Sequence, residues 1–216
     1  MKHLKRHKIP KNWPVARKGN TYVVRPKFGL NKGIPILVLL RDLLKVAKNR
    51  KEVKRAIHEK NILVNTIPVR DERNSVQLFD KISLVPSKKN YKLNLAHNGK
   101  FIVNEIKESE VNQKIAKIIN KKVLKGKKMQ INLSDGRNFI SKIKCNVGDS
   151  VSIIFKDKKI DKCWPLKEGA NVIVFAGKHA GKRGKISKLK TERKMAALDS
   201  KDGKINVLIK QMMVTE

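Results

Sequence analysis

Two neighbouring segments near the start of the chain carry the apolar spacing of short amphipathic helices. The first opens after Pro35, a residue suited to the first helical position. Intervals of three and four residues then separate its apolar positions, which places them on one helix face: Ile36, Leu39, Leu40, Leu43 and Ala47. This spacing predicts a helix with one buried face and a basic opposite face, on which lie Arg41, Lys45 and Lys48.

The second segment carries a helix start signal. Asn49 is a good N-cap residue, and Glu52 stands three positions later, where it completes a capping pair. The apolar positions Val53, Ala56 and Ile57 are expected to face inward. The outward face is expected to be basic and carries Lys51, Lys54, Arg55 and His58.

Short alternating segments after this helix pair predict strands. Residues 62–64 and 67–69 flank the turn Asn65-Thr66, and residues 76–79 and 82–85 continue the pattern. Two basic helices packed on a small hairpin sheet would make a compact unit over residues 36–85. We therefore expect an αα-β module in this part of the chain.

Residues 86–165 look largely β. Strands are predicted at 91–96, 100–103, 129–133, 138–143 and 150–155, with glycine-containing turns at 97–99, 134–136 and 147–149. Between them, residues 108–125 predict one helix with Val111, Ile115, Ile118 and Ile119 inward. Strands around a single helix suggest a small twisted barrel or sheet.

The last segment, residues 166–216, predicts an SH3-like barrel. Its strands are expected at 172–175, from 185 onward, at 194–198 and at 205–209, and Asp202-Gly203 forms one of the turns. The fold class expected for the whole chain is α+β and mainly β. It comprises a basic N-terminal arm (residues 1–35), the αα-β module, the central β domain and this C-terminal barrel.

A glycine-rich basic loop at residues 177–184 is the sharpest local feature. Its glycines permit positive φ and a close approach of the backbone, while Lys178, His179, Lys182 and Arg183 crowd onto the tip. A phosphate-binding loop of a nucleotide-hydrolysing enzyme is the competing interpretation. That fingerprint requires Ser or Thr after its lysine and leads into a helix, whereas Arg183 follows Lys182 and the next element is a strand. An RNA-contacting tip is the favoured interpretation, with an ordinary basic hairpin as the alternative.

Charge identifies the kind of partner. The 216 residues contain 52 Lys and Arg against 18 Asp and Glu, a formal net charge of +34. Such an excess favours a polyanion, and a nucleic acid fits better than an acidic membrane surface because aromatic residues are sparse and not clustered. No apolar run reaches the roughly 18 residues of a membrane span. We therefore expect neither a membrane partner nor a small-molecule substrate.

The N-terminal arm concentrates this charge. The first 41 residues hold 11 Lys and Arg and no acidic residue, and several prolines and glycines interrupt regular structure. We expect an extended arm that is mostly disordered without RNA, because it has little apolar surface to bury. Its aromatic residues Trp13, Tyr22 and Phe28 can stack on RNA or anchor to protein.

Candidate chemistry for a cofactor or for catalysis is sparse. The two cysteines, Cys145 and Cys163, do not make the four-ligand spacing of a zinc site and are expected to be reduced thiols. No zinc-hydrolase motif or nucleophile elbow occurs. We expect no cofactor, no metal and no catalytic residue.

Three stretches resemble parts of one known family. The residues "GANVIVFAGKHAGKRGKI" resemble a KOW motif, and residues 36–85 resemble the small RNA-binding module first named from ribosomal protein S-four. The opening "HLKRHKIPKNWPVARK" resembles that of the archaeal and eukaryotic small-subunit ribosomal protein four. All three occur in that family's order, over nearly the whole chain.

The resemblance implies a structural component of the small ribosomal subunit in the cytoplasm, bound to ribosomal RNA beside neighbouring ribosomal proteins and supporting assembly. It implies RNA-binding residues in three groups. The arm would contribute His3, Lys5, Arg6, Lys8, Lys11, Trp13, Arg17 and Lys18. The module would contribute Arg41, Lys45, Lys54, Arg55 and Arg70, and the KOW loop Gly177, Lys178, Gly181, Lys182, Arg183 and Gly184.

Two alternatives stay open at this point. Modules of this kind also occur in RNA-modifying enzymes such as pseudouridine synthases, for which Asp135 beside Arg137 is the local candidate for catalysis. A hairpin turn is the simpler interpretation of Asp135-Gly136-Arg137. The other alternative is a transcription factor with a KOW domain, against which the arm and the helix pair argue.

Overall fold

The computed structural model describes residues 3–141, 143–190, 193–200 and 202–215. They form two compact units, one of residues up to 94 with 100–112, the other of residues 95–99 with those from 113 onward. The protein is mostly β with few helices, as the sequence predicts. No helix within the described ranges is long and apolar enough to cross a membrane.

The strands of the first unit are short and antiparallel. They are β1 Leu4–Lys5, β2 Tyr22–Val23, β3 Gly33–Pro35, β4 Ile62–Val64, β5 Ile67–Pro68, β6 Ser75–Gln77, β7 Lys81–Leu84, β8 Lys89–Leu95 and β9 Phe101–Ile106. They form one five-stranded sheet in the order β5-β4-β7-β8-β9 and the two-stranded pairs β1-β2 and β3-β6. Because β7 pairs with β8, residues on the two sides of the expected boundary at 85 and 86 share one sheet.

Both helices of the predicted pair are present, but the first ends at Leu43, so Lys45, Ala47 and Lys48 lie beyond it. Helix α1 (Ile36–Val38) continues as a π-helical segment, Leu39–Leu43, and every residue from Ile36 to Leu40 is buried. Pro35 is extended and precedes the first helical turn, one position earlier than predicted. Helix α2 is Arg50–His58, with Val53 and Ile57 buried.

The predicted cap of α2 is confirmed. The side chain of Asn49 accepts a hydrogen bond from the Glu52 N–H at 3.0 Å. The Glu52 carboxylate reaches back to the N–H of Lys48 at 2.7 Å, one residue earlier than a capping box would place it. The first of these bonds satisfies one of the backbone donors that the start of a helix leaves unpaired.

The N-terminal arm is folded, contrary to the prediction of an extended, disordered segment. Leu4 and Trp13 are buried, so the arm has more apolar surface to bury than its charge suggests. Strands β1 and β2 pair through Leu4↔Val23 and Lys5↔Tyr22. Further along, the backbone N–H of Lys27 donates to the carbonyl of Arg73 at 3.1 Å, which ties the arm to the loop after β5.

The second unit holds two five-stranded antiparallel sheets, in the orders β12-β11-β10-β13-β14 and β18-β17-β16-β15-β19. Their strands are β10 Gln113–Val123, β11 Met129–Leu133, β12 Asn138–Ile140, β13 Ser150–Ile154, β14 Lys159–Trp164, β15 Asn171–Val174, β16 Arg183–Lys190, β17 Met195–Ser200, β18 Gly203–Leu208 and β19 Met212–Val214. Each sheet covers its own apolar core. The second sheet is consistent with the barrel-like domain expected over residues 166–216.

The predicted helix over residues 108–125 is wrong. Glu108–Glu110 forms a single 3₁₀ turn, and the rest of the segment becomes β10, the central strand of the first sheet in this unit. Ile118 pairs with Leu133 on one side, and Ala116 pairs with Val151 on the other. Isoleucine and valine favour strands, and pairing with two partners distant in sequence outweighs the helical spacing of the apolar residues.

Candidate nucleic-acid interface

The arm presents most of its predicted RNA-binding side chains to solvent. Those exposed are His3, Lys5, Lys8, Lys11, Arg17 and Lys18. Arg6 is different, because its Nε and Nη1 atoms donate to the backbone carbonyls of Asn20 (2.6 Å) and Ala16 (2.7 Å). Arg6 therefore closes the loop between β1 and β2, and the exposed lysines surround a folded scaffold.

Trp13 anchors the arm to the protein. This is one of the two roles that the sequence allowed, the other being stacking on RNA. Its side chain is 3% exposed, and the carbonyl of the neighbouring Asn12 accepts a hydrogen bond from the Phe101 N–H at 2.8 Å. A buried indole has no free face for a base. We therefore assign Trp13 to the folding of the arm.

A basic groove lies between α2 and the segment that follows β4. Its volume is about 760 Å³, and its walls carry Lys54 and His58 from the helix and Arg70 from the facing loop. Ile57, Ile67 and Pro68 give it an apolar floor. The structure thus brings together Lys54 and Arg70, two of the predicted RNA-binding residues, and we call this cavity the helix groove.

Arg50 and Glu72 form a pair at the edge of the helix groove that sequence reasoning missed. Glu72 is buried, and its two carboxylate oxygens accept hydrogen bonds from the Nε of Arg50 at 2.9 and 2.8 Å. The hydrogen bond to Glu72 raises the pKa of the Arg50 guanidinium, against the lowering effect of its burial. No sequence pattern links two residues 22 positions apart, so only the fold reveals that Arg50 has a fixed orientation.

A second, smaller cavity of about 520 Å³ adjoins this edge. It shares Arg50 and Arg73 with the helix groove, and its opposite wall is the arm hairpin, including His3 and Tyr22. The His3 and Tyr22 rings lie 5.4 Å apart between centroids, tilted by 51°. We call this cavity the arm pocket.

The other predicted module residues do not line the helix groove. Arg41 is half-buried and is held by Asp42, with Nε–Oδ1 and Nη2–Oδ2 distances of 2.9 Å each. Lys45 is exposed just after the π-helical segment, with a φ of +53°. Arg55 is exposed on α2 and pairs with Glu59 at 2.8 Å. These cations belong to the basic exterior of the module, away from the cavity.

The glycine-rich loop of the second unit has the backbone that its sequence predicts. Gly177 and Gly181 adopt φ values of +87° and +91°. A Cβ at Gly181 would overlap the carbonyl oxygen of Ala96, and one at Gly184 would overlap that of Asp199. The loop leads into strand β16, so it lacks the helix on which a phosphate-binding loop depends.

The basic side chains of this loop differ in their exposure to solvent and in their ion pairs. Lys178 and Arg183 are exposed, whereas Lys182 is half-buried, with its Nζ 3.0 Å from Oδ2 of Asp202. His97 approaches the same oxygen at 3.2 Å. The hydrogen bond from Lys182 lowers the pKa of the Asp202 carboxyl group. An acidic residue that the sequence pattern placed only in a turn therefore sits at the loop's tip.

Metal or thiol chemistry finds no support in the described part of the chain. No cluster of three His, Cys, Asp or Glu residues there could hold a metal ion. Cys145 is buried and Cys163 is half-buried, both as free thiols. Burial raises the pKa of the Cys163 thiol to about 12, which leaves it protonated and unreactive at neutral pH.

Two family models match parts of the chain, and two ribosomal proteins match most of it. Residues 87–160 match the model of Ribosomal family S4e, and residues 1–29 match that of the RS4NT (NUC023) domain. The chain is 38% identical over 197 residues to the small ribosomal subunit protein eS4 of Methanocella arvoryzae, covering 90% of this chain and 83% of the relative. It is 33% identical over 196 residues to the protein of the same name from Archaeoglobus fulgidus, with the same coverage.

A solved structure has the same fold. The crystal structure of the 30S ribosomal protein S4e from Thermoplasma acidophilum superposes with a TM-score of 0.72 at 22% identity, covering 85% of this chain and 94% of that chain. The identities above extend over most of both chains, and the family models match at the arm and in the middle. The chain therefore belongs to the S4e (eS4) family of small-subunit ribosomal proteins.

Proposed function

We propose that this protein is a structural constituent of the small ribosomal subunit, which binds ribosomal RNA and supports its folding and assembly. The observation that carries the proposal is its membership of the S4e family, whose relatives are named as small-subunit proteins. Its place of action is the ribosome, in the cytoplasm. A net charge of +34 gives the physical reason for a ribosomal RNA partner, because each neutralised phosphate releases condensed counterions.

Two surfaces supply the phosphate contacts in this proposal. In the first unit, Lys54 and Arg70 both line the helix groove, and Glu72 orients Arg50, which lines it as well. In the second unit, Lys178 and Arg183 project from the glycine-rich loop. Contacts to phosphate fix the position of a protein on RNA without specifying sequence, which suits a structural component.

Catalysis on RNA is the alternative that the geometry disfavours. Asp135, the candidate for that role, has a side chain that is nearly inaccessible to solvent. Its Oδ2 lies 3.3 Å from Nζ of Lys114 and 3.7 Å from Nε of Arg137, while Oδ1 accepts from the Arg137 N–H at 3.1 Å. The carboxylate therefore stabilises a hairpin turn and cannot reach a base. The protein is not an enzyme.

Cosedimentation tests the proposal directly. The full chain, mixed with small subunits depleted of their own copy, should migrate with the subunit on a sucrose gradient at a ratio of one to one. The variant Lys54→Ala with Arg70→Ala should leave the subunit at lower salt than the wild type, and Lys159→Ala with Lys162→Ala in the second unit serves as a control for charge loss. A chain that remains at the top of the gradient, or one that modifies uridine in free RNA, would contradict the proposal.

A further inference from the structure

The helix groove and the arm pocket share Arg50 and Arg73 in their linings, and we call the two cavities together the joined groove. One wall is α2 with the loop after β5, and the other is the hairpin of the arm. Both lie within the first unit. Volumes of about 760 and 520 Å³ fall in the range of about 300–1,000 Å³ that is typical of sites for small ligands. Each part therefore has room for an inserted group of the size of a nucleotide.

The walls of the joined groove are held in place by the protein itself. The Lys27 N–H donates to the carbonyl of Arg73 at 3.1 Å, and Lys27 Nζ pairs with Asp71 at 3.2 Å. The Arg50 guanidinium is fixed by the buried Glu72. Such fixed cations lose less conformational freedom on binding than free side chains do, which favours a defined ligand geometry.

The residues that line the joined groove carry a net positive charge, which favours an anionic ligand. Among the residues that the structure describes, seven Lys or Arg side chains and two carboxylates line it. The two carboxylates, Asp71 and Glu72, already pair with Lys27 and Arg50. Seven cations against two carboxylates give the lining a net positive charge, which complements a chain of phosphates.

The exposed ring and the apolar side chains that line the joined groove indicate which kind of anion fits it. Tyr22 is 58% exposed although its ring lies near that of His3, and Ile67, which lines the helix groove, is 61% exposed. Bases inside a duplex are stacked on one another and cannot reach such surfaces, whereas unpaired bases stack on aromatic side chains. An acidic peptide would satisfy the cations but would leave the open Tyr22 ring without a function.

We propose that the joined groove binds an unpaired segment of RNA, with one base stacked on Tyr22 and the adjoining phosphates held by Arg50, Arg73 and Lys54. This inference rests on the proposed function and specifies the kind of RNA that this site takes. Arg50 and Arg73 become binding residues that the basic pattern of the sequence did not single out, and Tyr22 takes the stacking role that the sequence allowed for it. The arm thus contributes a stacking platform in addition to charge.

The test measures binding of a labelled oligouridylate, roughly ten nucleotides long, and of an RNA duplex of the same length. Tyr22→Ile removes the ring and places a residue that favours strands in β2, while Tyr22→Phe keeps the ring. Phe28→Ile is the matched control, since Phe28 is 60% exposed in the same arm but lines neither cavity. Melting temperatures of all three variants verify that they fold.

Loss of one stacked base should weaken oligouridylate binding roughly 5- to 150-fold in Tyr22→Ile, with an unchanged salt slope. Tyr22→Phe and Phe28→Ile should bind like the wild type, and Lys54→Ala should reduce the slope by about 0.7. Equal affinity of Tyr22→Ile and Phe28→Ile, or a preference of the wild type for the duplex, would overturn the inference. So would binding of poly-glutamate but not of the oligouridylate.

These outcomes are separate from failure of the proposed function. A protein that cosediments with the small subunit but shows no effect of Tyr22→Ile still binds ribosomal RNA, through other surfaces. A protein that does not cosediment fails the proposed function, whatever the oligouridylate shows.

Discussion

The ammonium group of Lys182 lies 3.0 Å from Oδ2 of Asp202, so a cation at the tip of the glycine-rich loop is held by a carboxylate. Because solvent reaches the Asp202 carboxylate, this pair contributes little to stability, and its effect on folding is small. Its larger consequence concerns RNA, because a phosphate that approaches Lys182 must compete with Asp202. Arg183 is exposed beside Lys182, and no carboxylate of the described residues forms an ion pair with it.

The loop is therefore tested by changing its cations and its carboxylate separately. Lys182→Ala with Arg183→Ala should weaken binding to ribosomal RNA and lower the salt slope by about one unit for each phosphate that is no longer neutralised. Asp202→Asn should strengthen binding, since Lys182 is released. Stability should stay within about ±0.5 kcal/mol per site. Unchanged affinity and slope in the double variant, measured by filter binding beside Lys159→Ala with Lys162→Ala, would make the loop an ordinary solvated hairpin.

Gly181 should prove essential to the fold of the same loop. Its φ is +91°, and a Cβ there would overlap the Ala96 carbonyl oxygen. Gly169 is the matched control, with a φ of +82° and open space around it. Gly169→Ala should cost about 1–2 kcal/mol from backbone strain alone, and Gly181→Ala should cost clearly more. Urea unfolding measures the loss of stability in both variants. Equal losses would contradict this prediction, because they would show that the backbone near Ala96 shifts without a cost in free energy.

Lys117 should make the stability of the second unit depend on alkaline pH. Its side chain is 5% exposed and donates to the carbonyls of Ile209 and Met212, the latter at 2.7 Å. Burial lowers the pKa of Lys117 to about 8 from an ordinary value of 10.5. Between these values the unfolded chain binds more protons than the folded one, so the free energy of unfolding contributed by Lys117 rises with pH.

The comparison with Lys117→Met isolates this contribution. The wild type should gain stability relative to the variant between pH 8 and 10.5, by about 1.4 kcal/mol for each unit of pKa shift. Lys81, whose burial also lowers its pKa to about 8, is present in both proteins and cancels. Unfolding curves at several pH values give the difference directly. A difference that stays constant or falls as pH rises would contradict the buried state of Lys117.

The local signals that the sequence carries were sufficient for the short elements. Asn49 and Glu52 mark the start of α2 within one residue, and Met129–Leu133 is a strand with the predicted bounds. Asn65 and Thr66, at φ values of +50° and +69°, form the predicted turn between β4 and β5. Caps and tight turns depend on a few adjacent residues, which is why a single sequence reveals them.

The helix predicted over residues 108–125 rested on the spacing of its apolar residues, and the same segment contains two lysines that are buried. Lys114 and Lys117 were not among the inward positions of the predicted helix, but both are buried in β10. Lys114 pairs with Asp135, and Lys117 donates to the carbonyls of Ile209 and Met212. Their partners are distant in sequence, so no local pattern could show that these charges had a place inside the fold.

The candidate site was predictable in its chemistry and less so in its geometry. The basic outward face of α2 followed from helical spacing and brings Lys54 to the groove. The roles of Trp13 and Arg6 did not follow, because burial of the one and the backbone bonds of the other depend on how the arm folds. Nor did the junction at Arg50 and Arg73, where the arm and the module meet.

The salt dependence of binding to small-subunit ribosomal RNA tests the central claim most directly. A filter-binding titration of the full chain at increasing salt should give a linear fall of log K with log salt, with a slope of about −0.7 to −0.9 for each phosphate bound. Several bound phosphates therefore predict a steep line, and Lys54→Ala with Arg70→Ala should make it shallower by about one unit for each phosphate that these side chains neutralise. A flat response of the wild type would contradict the account.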